Sequence, residues 1–398
     1  MDMNGKTIIL AVSGGIAAYK SVELLRLLVK QGARVRVIMT ENACSFVAPL
    51  TFAALSGSRV CHSLFDERSD ASITHIEWAR QADAVVVAPA TANVIGKLAG
   101  GIADDALSTL MLAVTAPVLL CPSMNTHMYE NRAVQRNLAR LREDGYAIAA
   151  PGTGELACGT SGAGRMPEPE IIVDRLQHLL TPKDLSGQTV LVTAGPTREP
   201  IDPVRYISNR SSGKMGYALA RAAELRGARV TLVSGPVSLP PPVNVSLVPV
   251  QTAAEMTKAV LAHLAEADIV VKVAAVADYR VADIAEHKIK KAADQAPALQ
   301  LTENPDILQE IGARKTRQLV VGFAAETRDL EENARAKLAA KNTDLMIVNQ
   351  VAGEQSAFDA DDNQVRLFFR DGRDEQLPRL AKAELADRIW DRIRDLAG

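Results

Sequence analysis

The most constraining feature of the sequence is a pattern that occurs once in each half of the chain. An apolar run meets a glycine-containing turn, an amphipathic stretch follows, and a glycine precedes a second apolar run. The two copies span residues 6–39 and 189–233, and both contain Gly-Ala-Arg-Val before the second run. Strand, turn, helix and strand in this order form a βαβ unit, which requires a parallel sheet. The sequence therefore predicts two α/β domains.

More apolar runs of strand length extend both predicted sheets. They are continuous rather than alternating, which is typical of parallel strands covered on both faces. We predict two doubly wound, Rossmann-like three-layer domains with mostly parallel sheets. The second is expected to carry a β-hairpin arm near residues 365–373 that is a candidate dimer contact. The additional runs lie at residues 84–88, 117–121, 147–149, 269–275, 319–323 and 345–348.

A polar segment rich in helix breakers, residues 181–187, separates the two copies and predicts domains at 1–186 and 187–398. The second copy is longer than the first between its strand and its helix, around residues 198–212. In an open α/β sheet this position is the carboxyl end of a strand, where ligands bind. The insertion therefore predicts a substrate loop.

Charge and cysteine content exclude several classes of protein. With 45 Lys+Arg against 47 Asp+Glu, the net charge of −2 offers no basic excess for a nucleic-acid backbone. No apolar run approaches the ~20 residues of a membrane span. The four cysteines are far apart and form no CxxC pair, which favours a reduced compartment. We therefore expect a cytoplasmic protein that binds small molecules, with no nucleic-acid or membrane partner.

In the first half, two segments at predicted strand ends suit a flat, phosphorylated ligand. Ser13, Gly14 and Gly15 open a helix after a strand, and backbone N–H groups at such a point bind phosphate. Residues 89–93, Pro-Ala-Thr-Ala-Asn, follow the next long strand. Their small side chains would let a ring approach the backbone while Thr91 and Asn93 bond to its polar rim. A tight turn and a helix cap are the structural alternatives.

Three further residues of the first half carry chemistry. Asn125 follows the run at 117–121 and can hold a carboxylate or amide, or simply form an Asx turn. Cys158 lies in residues 152–165, which contain five glycines and predict a mobile flap. A thiol there suits a proton donor or nucleophile on a lid. His75 is ambiguous, because a lone histidine is more often structural than catalytic.

Residues 5–180 resemble the flavin-dependent cysteine decarboxylases. The resemblance rests on the Ser-Gly-Gly start, His75, the segments 89–93 and 122–128, and Ala-Cys-Gly at 157–159; Tyr129 stands where the family usually has Trp. It implies a flavodoxin-like fold for the first domain and FMN as cofactor. It also implies His75 as catalytic base beside the flavin, Asn125 as the holder of the substrate carboxylate, and Cys158 as the proton donor. The implied FMN contacts are Ser13, Gly14, Gly15, Thr40, Ala88, Thr91 and Asn93, and the implied substrate contacts are Met124, Asn125 and Ala157.

The second half contains candidate phosphate-binding segments but no P-loop. Residues 211–214, Ser-Ser-Gly-Lys, fail the Walker A pattern because Ser208 occupies its first glycine position and Met215 its last position. Ser211, Ser212 and Gly213 could still form a phosphate cup, or a helix cap. The cationic residues 287–291 suit a triphosphate or a solvated surface. Lys337 and Lys341 share one helix face, and a solubilising role is their alternative.

Residues 187–398 resemble the phosphopantothenate–cysteine ligases, and the fused order is similar to that of the bacterial bifunctional coenzyme A enzymes. The resemblance implies that CTP activates the carboxylate of 4′-phosphopantothenate as an acyl-cytidylate and that the amine of cysteine displaces CMP. The first half would then decarboxylate 4′-phosphopantothenoylcysteine to 4′-phosphopantetheine. Mg²⁺ and lysines would stabilise charge on the phosphates. The metal ligands are not predicted.

The same resemblance assigns residues to the ligase. Lys288 is implied to be catalytic, Asn209 to support chemistry at the acyl phosphate, and Ser211, Ser212 and Gly213 to bind substrate. It also implies a homo-oligomer with trimeric decarboxylase contacts and dimeric ligase contacts, together a dodecamer. The implied CTP contacts are Ala274, Asp278, Lys288, Pro305, Asp306, Ile307, Leu308, Phe323, Lys337 and Lys341.

Two other functions were weighed against this one. Flavoproteins of the first-half type also serve as binding modules that regulate partners without catalysis, but the presence of both His75 and Cys158 speaks against that. An NAD-dependent dehydrogenase would need a GxGxxG turn and an acidic residue at the end of the second strand. The chain lacks the turn and has Met39 and Thr40 at the strand end, with Glu41 only just beyond.

Overall fold

The computed structural model describes residues 3–63, 74–155, 159, 161–290, 298–326, 330–350 and 360–397. The chain folds as two compact units, Asp2–Thr181 and Pro182–Gly398. Each unit has its own sheet and its own apolar clusters. None of the helices within the described ranges is long and apolar enough to cross a bilayer.

The first unit is built on six parallel strands in the order β3-β2-β1-β4-β5-β6, and β7 and β8 form a separate antiparallel hairpin. Its elements are β1 (Thr7–Val12), α1 (Ala18–Lys30), β2 (Arg34–Met39), α2 (Glu41–Cys44), α3 (Pro49–Ser56), β3 (Val60–Cys61), α4 (Thr74–Gln81), β4 (Ala84–Ala90), α5 (Ala92–Gly100), α6 (Ala106–Ala113), β5 (Val118–Pro122), α7 (Thr126–Glu130), α8 (Arg132–Glu143), β6 (Ala147–Ile148), β7 (Gly152–Glu155), β8 (Ser161–Arg165) and α9 (Pro169–Leu180).

This strand order confirms the predicted flavodoxin-like topology. When the two-residue edge strand β3 is set aside, the other five strands follow the 2-1-3-4-5 order of that fold. One apolar cluster packs α1, α3 and α9 on one face of the sheet, and a second packs α5, α6 and α8 on the other. Because the strand order reverses between β1 and β4, a crevice is expected outside their carboxyl ends.

The second unit contains an eight-stranded sheet in the order β13-β12-β9-β14-β17-β18-β20-β21, in which only β20 and β21 run antiparallel to their neighbours. Its elements are β9 (Thr189–Ala194), β10 (Arg198–Pro200), β11 (Tyr206–Ser208), α10 (Lys214–Leu225), β12 (Arg229–Ser234), β13 (Ser246–Pro249), α11 (Ala253–Leu264), β14 (Ile269–Lys272), β15 (Tyr279–Val281), β16 (Leu301–Glu303), α12 (Ile307–Arg314), β17 (Leu319–Glu326), α13 (Leu330–Ala340), β18 (Leu345–Gln350), β19 (Asp362–Asn363), β20 (Val365–Phe369), β21 (Asp374–Gln376), β22 (Leu380–Ala381) and α14 (Lys382–Ala397).

Helices also cover both faces of this second sheet, so the predicted three-layer architecture is confirmed. One apolar cluster packs α10 and α14 against the sheet, and another packs α11, α12 and α13. The insertion around residues 198–212 forms the β10–β11 hairpin, and β15 and β16 form a second antiparallel pair. Both pairs follow carboxyl ends of central strands, β9 and β14.

The predicted β-hairpin near residues 365–373 is present as β20 and β21, but it is not a projecting arm. Its first strand pairs with β18 inside the main sheet, and Val365, Leu367 and Phe368 are buried in the unit's own core. The contact of this hairpin with a partner subunit stays a prediction. Exposed apolar side chains lie instead on the other two hairpins, among them Tyr206 and Leu301.

Both sheets have the same set of aspartate contacts at the amino ends of their strands. An aspartate just before one strand accepts a hydrogen bond from a backbone N–H near the start of the neighbouring strand, at 2.7–2.8 Å. A lysine or arginine pairs with each of these carboxylates. The aspartates are Asp83, Asp268 and Asp344. Each aspartate thereby supplies a hydrogen-bond partner for a backbone donor at the end of the neighbouring strand.

Candidate functional site

The larger cavity lies at the carboxyl edge of the first sheet and has a volume of about 880 Å³. Its wall comes from the ends of β1, β2, β4 and β5, from α1 and α5, and from the end of the β7–β8 hairpin. Cavities that bind small molecules usually measure roughly 300–1,000 Å³. Eight of the predicted residues line it, namely Ser13, Gly14, Gly15, Thr40, Thr91, Asn93, Met124 and Asn125.

Hydroxyl groups join the two predicted ligand-binding turns. The Ser13 hydroxyl donates to the carbonyl of Pro89 at 2.8 Å and lies 3.1 Å from the Thr91 hydroxyl. Gly14 packs so tightly that an added Cβ would lie 2.5 Å from the Cβ of Asn42. The turn after β1 is thus fixed against β4 and α2, which leaves its backbone beside the cavity.

Two of the implied FMN contacts differ in their placement. Thr40 is the N-cap of α2 and lines the cavity. Ala88 does not line it, because this residue is fully buried within β4 and its carbonyl accepts a hydrogen bond from the Ser21 hydroxyl at 2.7 Å. Strand β4 ends at Ala90, and the first residue after it that lines the cavity is Thr91.

Asn125 lies beside the end of the predicted flap, residues 152–165. It is the N-cap of α7, and its side-chain oxygen accepts from the backbone N–H of His127 at 2.9 Å. The backbone N–H of Met124 donates to the carbonyl of Gly164 at 3.0 Å, and an added Cβ on Gly164 would lie 2.2 Å from the Met124 carbonyl oxygen. Glycine is required here so that strand β8 can dock beside Asn125.

The remaining predictions for this half fall wholly or partly outside the described residues. Ala157 and Cys158 belong to that undescribed group. His75 lies in α4, and its side chain is likewise not described. Their roles stay predictions.

The second cavity lies at the carboxyl edge of the second sheet and has a volume of about 370 Å³. It is lined by the turns after β9 and β14, the start of α10, the ends of β17 and β18, and parts of α13, β19 and α14. The predicted residues on its wall are Asn209, Ser211, Ser212, Gly213, Ala274, Asp278, Phe323 and Lys337.

The side chains of Thr193 and Asn209 hold the turn after β14 in place beside this cavity. The Thr193 hydroxyl accepts from the backbone N–H groups of Val273 and Ala274, each at 3.1 Å, so β14 ends at Lys272. On the other side of the turn, the Asn209 side-chain amide donates to the Ala275 carbonyl at 3.0 Å. The inserted hairpin and the turn after β14 are thereby held together at the cavity.

Three lysines on the cavity wall were missed in the sequence, and Lys272 is the most informative of them. Its ammonium donates to the Ala274 carbonyl at 3.0 Å and has no carboxylate within ion-pair distance among the described residues. Burial lowers the pKa of Lys272, and the charges of Asp306 and Asp278 only partly oppose this effect. A half-buried ammonium without a paired carboxylate suits an anionic ligand. The other two lysines are Lys214 and Lys382.

Two asparagines complete the polar wall. The side-chain oxygen of Asn349 and the side-chain nitrogen of Asn363 are buried and have no hydrogen-bond partner within the described part of the chain. Buried polar atoms are usually paired, so an unpaired acceptor and an unpaired donor on one cavity wall indicate a polar ligand. Neither residue has a sequence context that distinguishes it from an ordinary turn asparagine.

Several implied CTP contacts do not reach this cavity. Ile307 and Leu308 are buried in α12, and Pro305 is not on the cavity wall. Lys341 pairs with Asp306 at 2.8 Å rather than entering the cavity.

Lys288 is exposed and also lies off the cavity wall, but its chain segment is anchored. The buried carboxylate of Asp202 accepts from the backbone N–H of Ile289 at 3.1 Å, and Arg205 donates to the Ile289 carbonyl at 3.0 Å. The hydrogen bond from Arg205 lowers the pKa of Asp202 well below its usual range. The inserted loop thus holds the residue next to Lys288.

Each of the two units of the chain matches a known protein family. The family described as Flavoprotein matches residues 1–181, and the family described as DNA/pantothenate metabolism flavoprotein C-terminal domain matches residues 185–396. Among solved structures, the C-terminal domain of a coenzyme A biosynthesis bifunctional protein CoaBC is 42% identical and covers 54% of this chain and 97% of its own, with a TM-score of 0.47.

Two curated relatives extend over nearly the whole chain. The coenzyme A biosynthesis bifunctional protein CoaBC of Bacillus subtilis (strain 168) is 51% identical over 399 residues, covering 99% of this chain and 98% of the relative. The protein of the same name from Escherichia coli (strain K12) is 50% identical over 397 residues, with the same coverage of both chains. Because the likeness spans both domains at about half identity, the chain belongs to the CoaBC family of bifunctional coenzyme A biosynthesis proteins.

Proposed function

We propose that the second domain joins 4′-phosphopantothenate to cysteine at the expense of CTP, and that the first domain decarboxylates the resulting 4′-phosphopantothenoylcysteine to 4′-phosphopantetheine. The observation that carries this proposal is the pair of cavities at the carboxyl edges of two parallel sheets in one chain of this family. One is wide and is bounded by the Ser13–Gly15 turn, and the other is smaller and is lined by four lysines.

The first cavity fits FMN. Its volume of about 880 Å³ leaves room for the flavin and for part of a substrate, and a turn that opens toward α1 suits a phosphate group. Ser13, Gly14, Gly15 and Thr40 would hold the phosphate and ribityl groups, while Thr91 and Asn93 would bond to the polar edge of the ring. When bound, FMN supplies the oxidation and re-reduction of the substrate that make loss of CO₂ possible.

The chain's own residues then position the substrate and move protons. Asn125, already fixed as a helix cap, holds the substrate carboxylate close to the flavin side of the cavity. The docked β8 strand covers this point and excludes water. His75 acts as the base, and Cys158 returns a proton to the substrate carbon.

In the second domain, lysines surround the place where phosphate charge develops. The carboxylate of 4′-phosphopantothenate attacks the α-phosphate of CTP, pyrophosphate leaves, and the cysteine amine then attacks the acyl-cytidylate and releases CMP. Lys337 and Lys272 lie on the cavity wall, and Lys288 on its anchored segment completes the cationic surroundings. Asn209 faces the acyl phosphate. Cations placed in this way stabilise the negative charge that grows in the transition state.

Mg²⁺ is proposed to arrive with the nucleotide. Among the described residues there is no group of three or more His, Cys, Asp or Glu side chains that could hold a metal ion. Mg²⁺ commonly binds through substrate phosphates and one or two carboxylates. Asp278, on the cavity wall, is the carboxylate available for this contact.

The exposed apolar surface supports a homo-oligomer with trimeric contacts in the first domain and dimeric contacts in the second, together a dodecamer. In the first domain, Ile16, Tyr19 and Leu50 are each at least 60% exposed. In the second, Tyr206 and Tyr279 stand on the two short hairpins and are half exposed. Exposed apolar clusters of this kind mark protein interfaces.

The test is direct. The purified full-length protein should be yellow, with a flavin absorption spectrum, and should convert 4′-phosphopantothenate, cysteine and CTP to 4′-phosphopantetheine with release of CO₂ and pyrophosphate. Omitting CTP should stop the first reaction and leave the decarboxylation of added 4′-phosphopantothenoylcysteine intact. A colourless protein that turns over neither substrate would refute the proposal.

A further inference from the structure

The charged residues on the wall of the first cavity divide into two unequal groups. Six such side chains line it, namely Lys20, Glu41, Lys97, Asp104, Asp105 and Arg165. Glu41 is exposed on α2, and the other five belong to two ion-pair clusters on opposite faces of the sheet. The net charge of each cluster determines which side of the cavity favours an anionic group.

The cluster on the α5 and α6 side has a net negative charge. The Lys97 ammonium lies 2.6 Å from a carboxylate oxygen of Asp104 and 2.7 Å from one of Asp105. These two hydrogen bonds raise the pKa of Lys97, so the lysine stays charged and is fully occupied. Asp105 also caps α6 through the backbone N–H of Ser108. Two carboxylates against one ammonium repel an anionic group.

The cluster on the α1 and α9 side has a net positive charge. The Lys20 ammonium lies 2.8 Å from both carboxylate oxygens of Glu168, and Arg165 reaches one of those oxygens at 3.8 Å. The Glu168 carboxylate is therefore shared by two cations. Of these three residues, Glu168 alone does not line the cavity. Both cations line the wall, and the guanidinium of Arg165 is too far from Glu168 for a hydrogen bond.

Three different elements hold this cluster in place. Lys20 is in the first turn of α1, directly after the Ser13–Gly15 turn, and its side chain is only 12% exposed. Arg165 ends β8, next to the glycine that docks on Met124. Glu168 precedes α9. A cation pair at the cavity wall that is anchored from behind by one carboxylate is prepared for a second anion.

We propose that Lys20 and Arg165 form a phosphate-binding subsite on the α1 side of the first cavity, occupied by the phosphate monoester of a bound ligand. The proposal rests on the proposed function, which brings two such esters to this cavity, FMN and 4′-phosphopantothenoylcysteine. A phosphate monoester carries close to two negative charges at neutral pH because its second pKa is about 6. Arginine binds it through paired N–H groups and lysine as a point charge.

The experiment asks which ester occupies the subsite. Full-length Lys20→Gln and Arg165→Gln variants are compared with unchanged protein and with Arg140→Gln, a control in which an exposed arginine of α8 is lost. One arm measures kcat/KM for decarboxylation of 4′-phosphopantothenoylcysteine and of the unphosphorylated pantothenoylcysteine. The other arm measures the Kd of FMN and of riboflavin by flavin fluorescence.

If the substrate phosphate binds there, the preference for the phosphorylated substrate falls roughly tenfold or more in both variants, while FMN binding is unchanged. If the flavin phosphate binds there, FMN loses affinity by a similar factor and riboflavin does not. Glu168→Gln, which raises the net charge, should shift the same preference in the opposite direction. Equal losses for phosphorylated and unphosphorylated ligands, or no change in either arm, would overturn the subsite. Absence of flavin binding and turnover in the unchanged protein would instead refute the proposed function.

Discussion

In the first domain the cavity at the sheet edge is formed by close backbone approach, whereas in the second it is formed by cationic side chains. Ser13, Gly14 and Thr91 bring two turns together, and the three cations and three carboxylates on the cavity wall balance in total charge. In the second domain, Lys214, Lys272, Lys337 and Lys382 line a cavity less than half as large.

The difference follows from what each parallel sheet leaves at its carboxyl edge. Small residues and glycines allow a planar ring to lie against the backbone, and a balanced set of charges suffices there because the cofactor itself supplies the redox chemistry. Attack on a triphosphate adds negative charge that only cations can stabilise. The same layered fold thus serves both reactions because the turns after the strands differ, while the strands themselves are alike.

The largest expected effect separates the two domains outright. Lys288→Gln should lower ligase kcat by roughly 100-fold or more, because a cation that stabilises transition-state charge is lost, and should leave decarboxylation unchanged. Cys158→Ser should do the reverse, through loss of a proton donor. Separate assays of pyrophosphate release and CO₂ release check both variants. If either substitution impaired both reactions alike, the two sites could not be independent.

Close backbone approach in the first domain can be tested at Gly164. Gly164→Ala places a Cβ 2.2 Å from the Met124 carbonyl oxygen, so strand β8 must move away from Asn125. We expect the unfolding free energy to fall by roughly 1–3 kcal/mol, or the activation free energy of decarboxylation to rise by a similar amount, with no loss of ligase activity. Chemical denaturation and CO₂ release measure the two quantities.

The matched control for that variant is Gly57→Ala. Gly57 also has a positive φ, 63°, but no atom within 4 Å of an added Cβ. It should therefore show only the cost of a left-handed alanine, about 1–2 kcal/mol, with normal decarboxylase kcat. If Gly164→Ala kept full decarboxylase kcat, docking of β8 beside Asn125 would have no part in the reaction.

The sequence predicts the repeated framework well because periodicity reports burial directly. The two predicted copies, residues 6–39 and 189–233, are present as β1-α1-β2 and β9-α10-β12, and each copy begins and ends within about one residue of its predicted span. Prediction was less accurate at turns. The run at 269–275 predicts a strand that includes Ala275, whereas the Thr193 hydroxyl takes the next two backbone donors and ends β14 at Lys272.

The same limit explains which site residues were missed. Lys272 lies inside an apolar run, so nothing in the pattern distinguishes it from a strand residue at a sheet edge. Lys382 and Asn363 reach the second cavity through β19, β22 and α14, about 100 residues or more after the other wall residues of β9 and β14. Long-range contacts of this kind depend on strand pairing, which local spacing does not specify.

A smaller effect is expected from the clamp beside Lys288, which consists of Asp202 and Arg205 with their hydrogen bonds to the backbone of Ile289. Asp202→Asn removes the charge that binds Arg205 and weakens the acceptor for Ile289, so Lys288 loses its fixed position. We expect ligase kcat to fall by roughly tenfold, with CTP KM little changed, because misplacement affects the reacting geometry more than binding. Asp202 has a lowered pKa in the folded protein. Its contribution to stability is therefore present above the pKa of an unfolded aspartate, about 3.9, and is lost as the pH falls through the lower folded value.

Thermal unfolding between pH 2 and pH 7 checks that sign. The unchanged protein should lose stability on acidification more steeply than Asp202→Asn, and the two should converge at low pH. Lys290→Gln is a suitable control, since it alters charge in the same segment outside the clamp. A parallel pH dependence in Asp202→Asn and unchanged protein would mean that the carboxylate does not stabilise the loop.

The smallest effect, and the one that most sharpens the contrast between the domains, is expected at Lys272. Burial lowers the pKa of Lys272 in the folded protein, so the charged ammonium opposes folding at pH values below that folded pKa. This cost decreases as the pH rises from the folded pKa to the higher pKa of an unfolded lysine. Lys272→Met should therefore increase the unfolding free energy at neutral pH by about 1 kcal/mol, and Tm should rise with it. The same variant should weaken CTP binding by roughly fivefold.

Lys272→Arg, which keeps its charge at all accessible pH values, separates charge from packing. It should retain CTP affinity to higher pH than the unchanged protein, whose affinity should decline earlier on the alkaline side because Lys272 loses its proton. Titration of CTP, CDP and CMP by calorimetry distinguishes the part of the nucleotide that is bound. A loss that grows with the number of phosphates places the ammonium beside the triphosphate, and an equal loss for all three places it beside the base or ribose. A Met variant with both lower Tm and normal CTP affinity would make Lys272 a structural residue, and the second cavity would then depend on its other lysines alone.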